Sequence, residues 1–331
     1  MRSLATFDRA EREAIVAEAN RAPSVHNVQP TRWRFEPGMI HLALDPRRGL
    51  PVGDREGHDA AFSLGCALEG TRIALARRGF GTTVEPADGV VLRVDEGNER
   101  ERQRAEHDHG LMARRRTHRL GFERPTDADR TALRRWAGGR DDIVLVDGPD
   151  ALRTLSDVND AASLAVLRNH AYRAELLGWM RLGRDDAPDG LSVASLGMTR
   201  VEAVLAHVAL GPHGFRWLDR LGLAGAVSSE RQPTLAAAGI AALTMGAATD
   251  RPGADVRAGA AFLRTTLELV ALGFQTWPMG VLVDDPRARD ETARLLGIPP
   301  DRSPRIVFRI GRPKGAVPPA KRLPAGTLID G

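Results

Sequence analysis

The sequence predicts an α+β fold of small, mainly antiparallel sheets packed by helices, and two observations predict it, with a third that raises a division into two pseudo-equivalent halves. Two long amphipathic patterns, over residues 59–78 and 255–272, carry apolar residues at helical spacing. Short β-type runs surround them, joined by turn pairs such as Pro37-Gly38 and Asp88-Gly89 that suit antiparallel hairpins. The same succession also occurs twice. Ala74-Leu75-Ala76-Arg77-Arg78-Gly79-Phe80 precedes the strand Val90-Val91-Leu92-Arg93-Val94. Glu268-Leu269-Val270-Ala271-Leu272-Gly273-Phe274 precedes Ile306-Val307-Phe308-Arg309-Ile310. Both strands read aliphatic, Val, large, Arg, aliphatic. The recurrence reads equally as duplication of a unit of about 150 residues or as two instances of a common helix-Gly-strand pattern.

In chain order, a helix is predicted over 8–21, with Ala14, Ile15 and Ala19 on one face and a stop before Pro23. Strands follow at 33–35 and 39–44. Asp59 is the expected N-cap of the first long helix and Gly79 its stop. A hairpin is predicted from 82–85 and 90–94. The charged stretch 95–116 is expected to be helical in its second half, and Thr126 to cap a helix running to Ala137. Residues 143–146 read as a strand, 150–180 as one long helical stretch, and 234–245 as an apolar strand. Residues 185–232 are Gly-rich with breaks at Pro188 and Gly211-Pro212, the composition of a lid-like excursion of turns and short helices. Ile306–Ile310 is the last predicted strand, and 313–331 a Pro-rich tail.

Composition narrows the function classes. The chain has 331 residues and is 42% hydrophobic, ample for a large core. No apolar run reaches the ~18 residues of a membrane-crossing helix, so no membrane role is expected. Residues 1–20 interleave Arg, Glu and Asp where a signal peptide would be apolar. Cys66 is the only cysteine, which excludes an intrachain disulfide and a cysteine metal centre; it is expected to act as a small buried hydrophobe in a reducing cytoplasm. Of the 47 basic residues only Lys314 and Lys321 are lysines, so 45 are arginines, interleaved with 43 acids. That scatter is unlike the basic stripe of a nucleic-acid binder. No Gly-x-Gly-x-x-Gly, phosphate-binding loop, His-Glu-x-x-His or Gly-x-Ser-x-Gly occurs. His107 and His109, the one close histidine pair, are expected to be solvated, and no metal is expected.

Two segments could carry chemistry. Ala22-Pro23-Ser24-Val25-His26-Asn27-Val28-Gln29-Pro30 places a hydroxyl, an imidazole and two carboxamides in a loop held by prolines. Uncharged donors and acceptors of this kind suit the edge of a heterocycle, and equally an ordinary polar turn. Arg114-Arg115-Arg116-Thr117-His118-Arg119 suits a phosphate monoester, because planar guanidinium forks match phosphate oxygens, and equally a solvated helix end.

Together the two segments resemble the flavin-binding motifs of the nitroreductase superfamily, an Arg-x-Ser/Thr-x-Arg/Lys segment and a Pro-Ser-x-x-Asn-x-Gln-Pro loop supplied by a partner subunit. The resemblance implies FMN as cofactor and assigns its phosphate to Arg115 and Thr117. It puts Arg119 near flavin N1 and the C2 carbonyl, and Pro23, Ser24, Asn27 and Gln29 on the ring-contacting loop. Trp277-Pro278-Met279-Gly280 is similar to the stretch whose backbone N–H faces flavin N5. Leu296-Gly297-Ile298-Pro299, Ile310-Gly311-Arg312-Pro313 and the late basic pair Lys321 and Arg322 resemble the family's C-terminal region. The motif order departs from the family's, since the Pro-Ser loop leads by some ninety residues. A fused duplication accounts for that order and resembles the Acg-type branch. The resemblance then implies a first half over 1–105 carrying the loop and a second over 106–331 carrying the phosphate motif and the N5 segment. It implies one flavin site in a monomer that acts as an internal pseudo-dimer.

The implied activity is hydride transfer through flavin N5 between NAD(P)H and a small organic acceptor, with no side-chain acid or base. A protein that only binds and sequesters flavin beneath a closed lid is the alternative. Thr31 stands where the family often has Trp, with Trp33 close behind. His207, His213 and Trp217 are candidates to face the ring.

Overall fold

The computed structural model describes residues 5–87, 89–183, 186–246 and 251–330. The chain divides into two compact units. Unit 1 comprises 1–115, 250–268 and 319–331; unit 2 comprises 116–249 and 269–318.

In unit 1 the first helix is Arg9–Ala19. The Asp8 carboxylate accepts from the Glu11 N–H and Glu11 answers to the Asp8 N–H, a reciprocal cap that fixes where the helix starts. Strands β1 (Thr31–Glu36) and β2 (Met39–Leu44) pair antiparallel across the predicted Pro37-Gly38 turn. The hairpin of β3 (Phe80–Ala87) and β4 (Gly89–Glu96) completes four adjacent strands, and its turn residue Asp88 lies outside the described residues. The first long helix is His58–Ala76 with Gly57, not Asp59, at its N-cap; Gly57 has φ 75°, a left-handed conformation that glycine adopts without steric cost. Asp59 sits in its first turn instead. Trp33 is fully buried, and its indole N–H donates to Thr71 Oγ1 at 2.9 Å.

The second long helix, Arg251–Ala271, crosses His58–Ala76 at two glycines. A Cβ at Gly65 would lie 1.9 Å from Val256 O, and one at Gly259 would lie 1.9 Å from Phe62 O. The contacts are reciprocal, each glycine meeting the carbonyl three residues before the other. Cys66, beside this crossing, is fully buried and its Sγ–H donates to Gly259 O at 3.2 Å. Burial pushes the thiol up to about 12, so the predicted inert, hydrophobe-like role holds.

Unit 2 is built on an antiparallel sheet. Its strands are β5 (Ile143–Val146), then β8 (Gly239–Gly246), β9 (Gln275–Pro278) and β10 (Arg302–Gly311), in the spatial order β5-β8-β10-β9. Two-residue strands β6 (Met180–Arg181) and β7 (Leu191–Ser192) form a separate parallel pair. Thr126 caps the helix Asp127–Ala137 with a reciprocal Asp129 bond, as predicted. The predicted long helix over 150–180 is two helices, Pro149–Arg168 and His170–Trp179. Asn169 leaves helical geometry, and its carboxamide oxygen caps the second by accepting from Ala171 N at 2.9 Å. The predicted strand over 234–245 begins later, because Arg231–Leu235 forms a short helix before β8. Between β7 and β8 the chain forms the predicted short helices, among them Arg200–Leu210 and Pro212–Arg220.

The tail is not featureless. The last strand, β11 (Ile329–Asp330), belongs to unit 1 and pairs parallel with β1, with Trp33 N–H donating to Leu328 O at 2.9 Å. Arg32 clasps the Asp330 carboxylate beside it. No helix among the described residues is long and apolar enough to cross a membrane.

Candidate functional site

Unit 1 gathers the loop motif, the basic tail and Arg115. The loop 24–29 contains three non-glycine residues with left-handed backbone, His26 (φ 44°), Asn27 (φ 57°) and Gln29 (φ 52°). Each costs on the order of 1 kcal/mol or more, a strain that persists only where surrounding bonds over-determine it. Here they do. Ser24 Oγ accepts from Gln29 N–H at 3.0 Å. The Gln29 carboxamide oxygen accepts from Asn20 Nδ2 and from Leu323 N–H, each at 2.8 Å. Asn27 Nδ2 donates to Lys321 O at 3.2 Å, and Arg322 donates to Asn27 Oδ1.

The same guanidinium donates to Arg21 O at 3.0 Å and Ala22 O at 3.2 Å, while Arg115 Nη2 reaches Arg21 O at 3.4 Å. Two arginines predicted from motifs two hundred residues apart thus converge on one carbonyl, next to the Pro23 turn. Lys321 is exposed and Pro23 half-buried, so both remain accessible. Gln29 is only 3% exposed; its geometry braces the loop from within.

Unit 2 gathers the other members. Arg116 N–H donates to Gln275 Oε1 at 2.8 Å, His118 N–H to Thr276 O at 3.0 Å, and Thr117 bridges Thr276. This fastens the Thr117–Arg119 segment to the start of β9, which runs directly into Met279 and Gly280. Met279 is buried and its N–H is spent on Val307 O at 2.8 Å. Gly280 is exposed, and its N–H has no protein acceptor among the described residues. A Cβ there would come within 3.1 Å of an Asp284 carboxylate oxygen.

Arg119 makes one long contact, 3.4 Å to Ser195 O. Desolvation lowers its pKa below the ordinary arginine value; Glu230 opposes that and Arg309 adds to it. Burial likewise lowers the pKa of the His118 imidazole, opposed by its backbone hydrogen bonds to Lys314 and Gly121, with Nε2 at 3.1 Å from Lys314 O.

Arg309 is a functional candidate that sequence reasoning did not single out. It is fully buried, its Nη2 donates to Glu230 at 2.6 Å and its Nε to Thr234 Oγ1 at 2.8 Å. Its guanidinium lies 4.8 Å from the Trp277 ring centre, and Nη1 has no hydrogen-bond partner among the described residues. Its counterpart in the repeated strand pattern, Arg93, is exposed and pairs with Glu85 and Asp95. The signal was in the sequence, an arginine inside an apolar strand. Its meaning depended on β10 being central and covered on both faces.

Trp33, being fully buried, offers no ring face to a ligand. His207, His213 and Trp217 are exposed. His109 is partly buried, 3.6 Å from Glu18, rather than solvated. Among the described residues no three His, Cys, Asp or Glu are grouped to hold a metal ion.

No protein-family profile matches the chain. In Mycobacterium tuberculosis H37Rv, the protein named "Putative NAD(P)H nitroreductase acg" is 26% identical over 311 residues, 90% of this chain and 88% of its own length. A second relative there of the same description, Rv3131, is 26% identical over 328 residues, 96% of this chain and 90% of its own. Among solved structures, a "putative nitroreductase" from Anabaena variabilis aligns over 94% of this chain and 90% of its own, at 11% identity and a TM-score of 0.45. At that score the alignment bears on no functional step.

By its α+β architecture, its motif set and its near end-to-end similarity to both mycobacterial relatives, the chain is similar to the nitroreductase superfamily and to its Acg-type branch.

Proposed function

We propose that this chain is an FMN-dependent oxidoreductase that passes reducing equivalents from NAD(P)H to a small organic acceptor. One observation carries the reading. Unit 2 binds the Thr117–Arg119 segment to the strand leading into Gly280, and both ends present donors without a protein acid to receive them. These are the desolvated guanidinium of Arg119 and the open N–H of Gly280. Donors of this kind fit the electron-rich edge of a flavin. When bound, FMN supplies hydride transfer through N5.

The residues then divide the work. Arg115, Thr117, Lys321 and Arg322 would hold the phosphate of FMN, and Arg119 would supply positive charge to the pyrimidine edge of its ring. Gly280 would offer its N–H to the redox edge, Met279 anchors that stretch in the sheet through Val307 O, and Pro23, Ser24 and Asn27 would contact the ring. Gln29 keeps its place in the proposal as the brace of that loop rather than a ring contact. In this reading both motif sets belong to one chain, an internal pseudo-dimer of duplicated ancestry, which the reciprocal Gly65 and Gly259 crossing within unit 1 supports.

The test is a fluorescence titration of FMN into wild-type protein and Arg119→Ala. Loss of a charge-assisted bond weakens binding about tenfold or more, the equivalent of about 1.4 kcal/mol. Unchanged affinity together with an unchanged rate of flavin reduction would refute the assignment.

A further inference from the structure

The helix Arg200–Leu210 is apolar on two faces. Ala203 and Leu210 are buried, Leu210 in a cluster with Leu167, Phe215 and Ala224. Its outward face carries Val201, Val204, Leu205 and Val208, at i, i+3, i+4 and i+7, so they form one stripe. These four are 61 to 70% exposed.

The next helix, Pro212–Arg220, meets the end of the stripe. A Cβ at Gly214 would lie 2.0 Å from Val208 O, so the two backbones touch there. Trp217 and Leu221 lie three and seven residues beyond Gly214, on the same side of the helix, and are 60% and 65% exposed. The stripe and this pair therefore adjoin.

Six large apolar residues in one patch leave about 700 Å² open, above the few hundred Å² that a monomer ordinarily shows. A patch of that size suits one occupant in particular. Paired with itself about a twofold axis, full coverage of the patch on both copies would bury about 1,400 Å² in all, within the range of about 1,200 to 2,000 Å² for a stable interface. Branched aliphatic residues at this spacing form the seam of a packed helix pair. Membrane adsorption fits less well, because it calls for a strongly basic polar face. Here Arg200, Arg216 and Arg220 are interspersed with Glu202 and Asp219, and Asp219 is already bound to Arg168 at 3.0 Å.

We infer that the outward face of the 200–221 helical hairpin docks a second copy of this chain, making a homodimer through the Val201, Val204, Leu205 and Val208 stripe.

The experiment is sedimentation velocity across low to high micromolar protein, with the double variant Val204→Glu, Leu205→Glu alongside. Wild type is expected at the mass of two chains and the double variant at one. Val204→Cys supplies an independent readout. The native chain has only Cys66, which is buried, so a cross-linked dimer formed by mild oxidation reports the new cysteine alone. Wild-type protein that stays single at every concentration would overturn the inference. So would a dimer that survives the double substitution. Single chains that adsorb to anionic phosphatidylserine vesicles, in a manner the double substitution abolishes, would overturn it in favour of a membrane surface.

Discussion

Replacing Gly65 with alanine tests the helix crossing at the centre of unit 1. The added Cβ would sit 1.9 Å from Val256 O and 2.7 Å from its carbonyl carbon, where side-chain carbons essentially never approach closer than 3.0 Å. Both neighbours are backbone, so no rotamer change relieves the contact and the helices must part. Overpacking of this kind costs about 3 kcal/mol, at the upper end of measured cases. Alanine returns about 1 kcal/mol through helix propensity. The net loss of about 2 kcal/mol corresponds to a Tm lower by about 4 to 8 °C. Gly259→Ala should behave alike, since its Cβ meets Phe62 O at the same 1.9 Å. Gly110→Ala is the control: it lies within the helix Glu99–Arg114 with nothing inside 4 Å, so only the propensity gain remains and Tm rises by about 2 to 4 °C. Thermal unfolding followed by circular dichroism reads all three. A Gly65→Ala protein as stable as wild type, or stabilised like Gly110→Ala, would refute the close crossing.

Three further outcomes are expected. Burial raises the Asp59 carboxyl to about 7, Asp54 and Asp255 push the same way, and His58 opposes. The folded chain therefore keeps a proton that the unfolded chain releases near 3.8, and stability from this group, complete below pH ~4, falls as pH rises toward 7. Asp59→Asn should raise Tm at pH 8 and leave it little changed at pH 4; parallel pH profiles for the two proteins would contradict this. Glu230→Gln leaves the buried Arg309 without its counter-charge and should cost about 2 kcal/mol, read by urea unfolding, with an unchanged midpoint counting against it. Gln29→Ala removes the acceptor for Asn20 and Leu323, so hydrogen exchange at Leu323 should accelerate by roughly tenfold or more. Unchanged protection there would show that the tail is held by other means.

Most helices and strands were legible because their signals are local. Thr126 announces a cap, Pro37-Gly38 announces a hairpin, and residues 143–146 form a strand with the predicted bounds. What escaped depended on partners far away in sequence. β11 is two residues long in a Pro-rich tail and exists because β1 offers it an edge. Asn169 splits a continuous helical pattern through a cap that periodicity does not register. At the candidate site, the motifs named the residues, and the structure gave some of them different work. Gln29 looked like a free carboxamide and is a brace, while Arg309 looked like Arg93 and is buried beneath Glu230. The left-handed backbone at His26, Asn27 and Gln29 carried only a weak sequence signal: Asn and His adopt it more often than other residues, but mostly keep ordinary backbone.

The central claim is a flavin site served by this one chain, and an anaerobic absorption spectrum tests it most directly. Purified protein is recorded as isolated, after addition of FMN, and again after NADPH or NADH. The account predicts a yellow protein that holds one FMN per chain and bleaches with the nicotinamide. Bound flavin that neither nicotinamide reduces would replace the enzyme with a flavin-sequestering protein, and protein that stays colourless and takes up no FMN would contradict the account altogether.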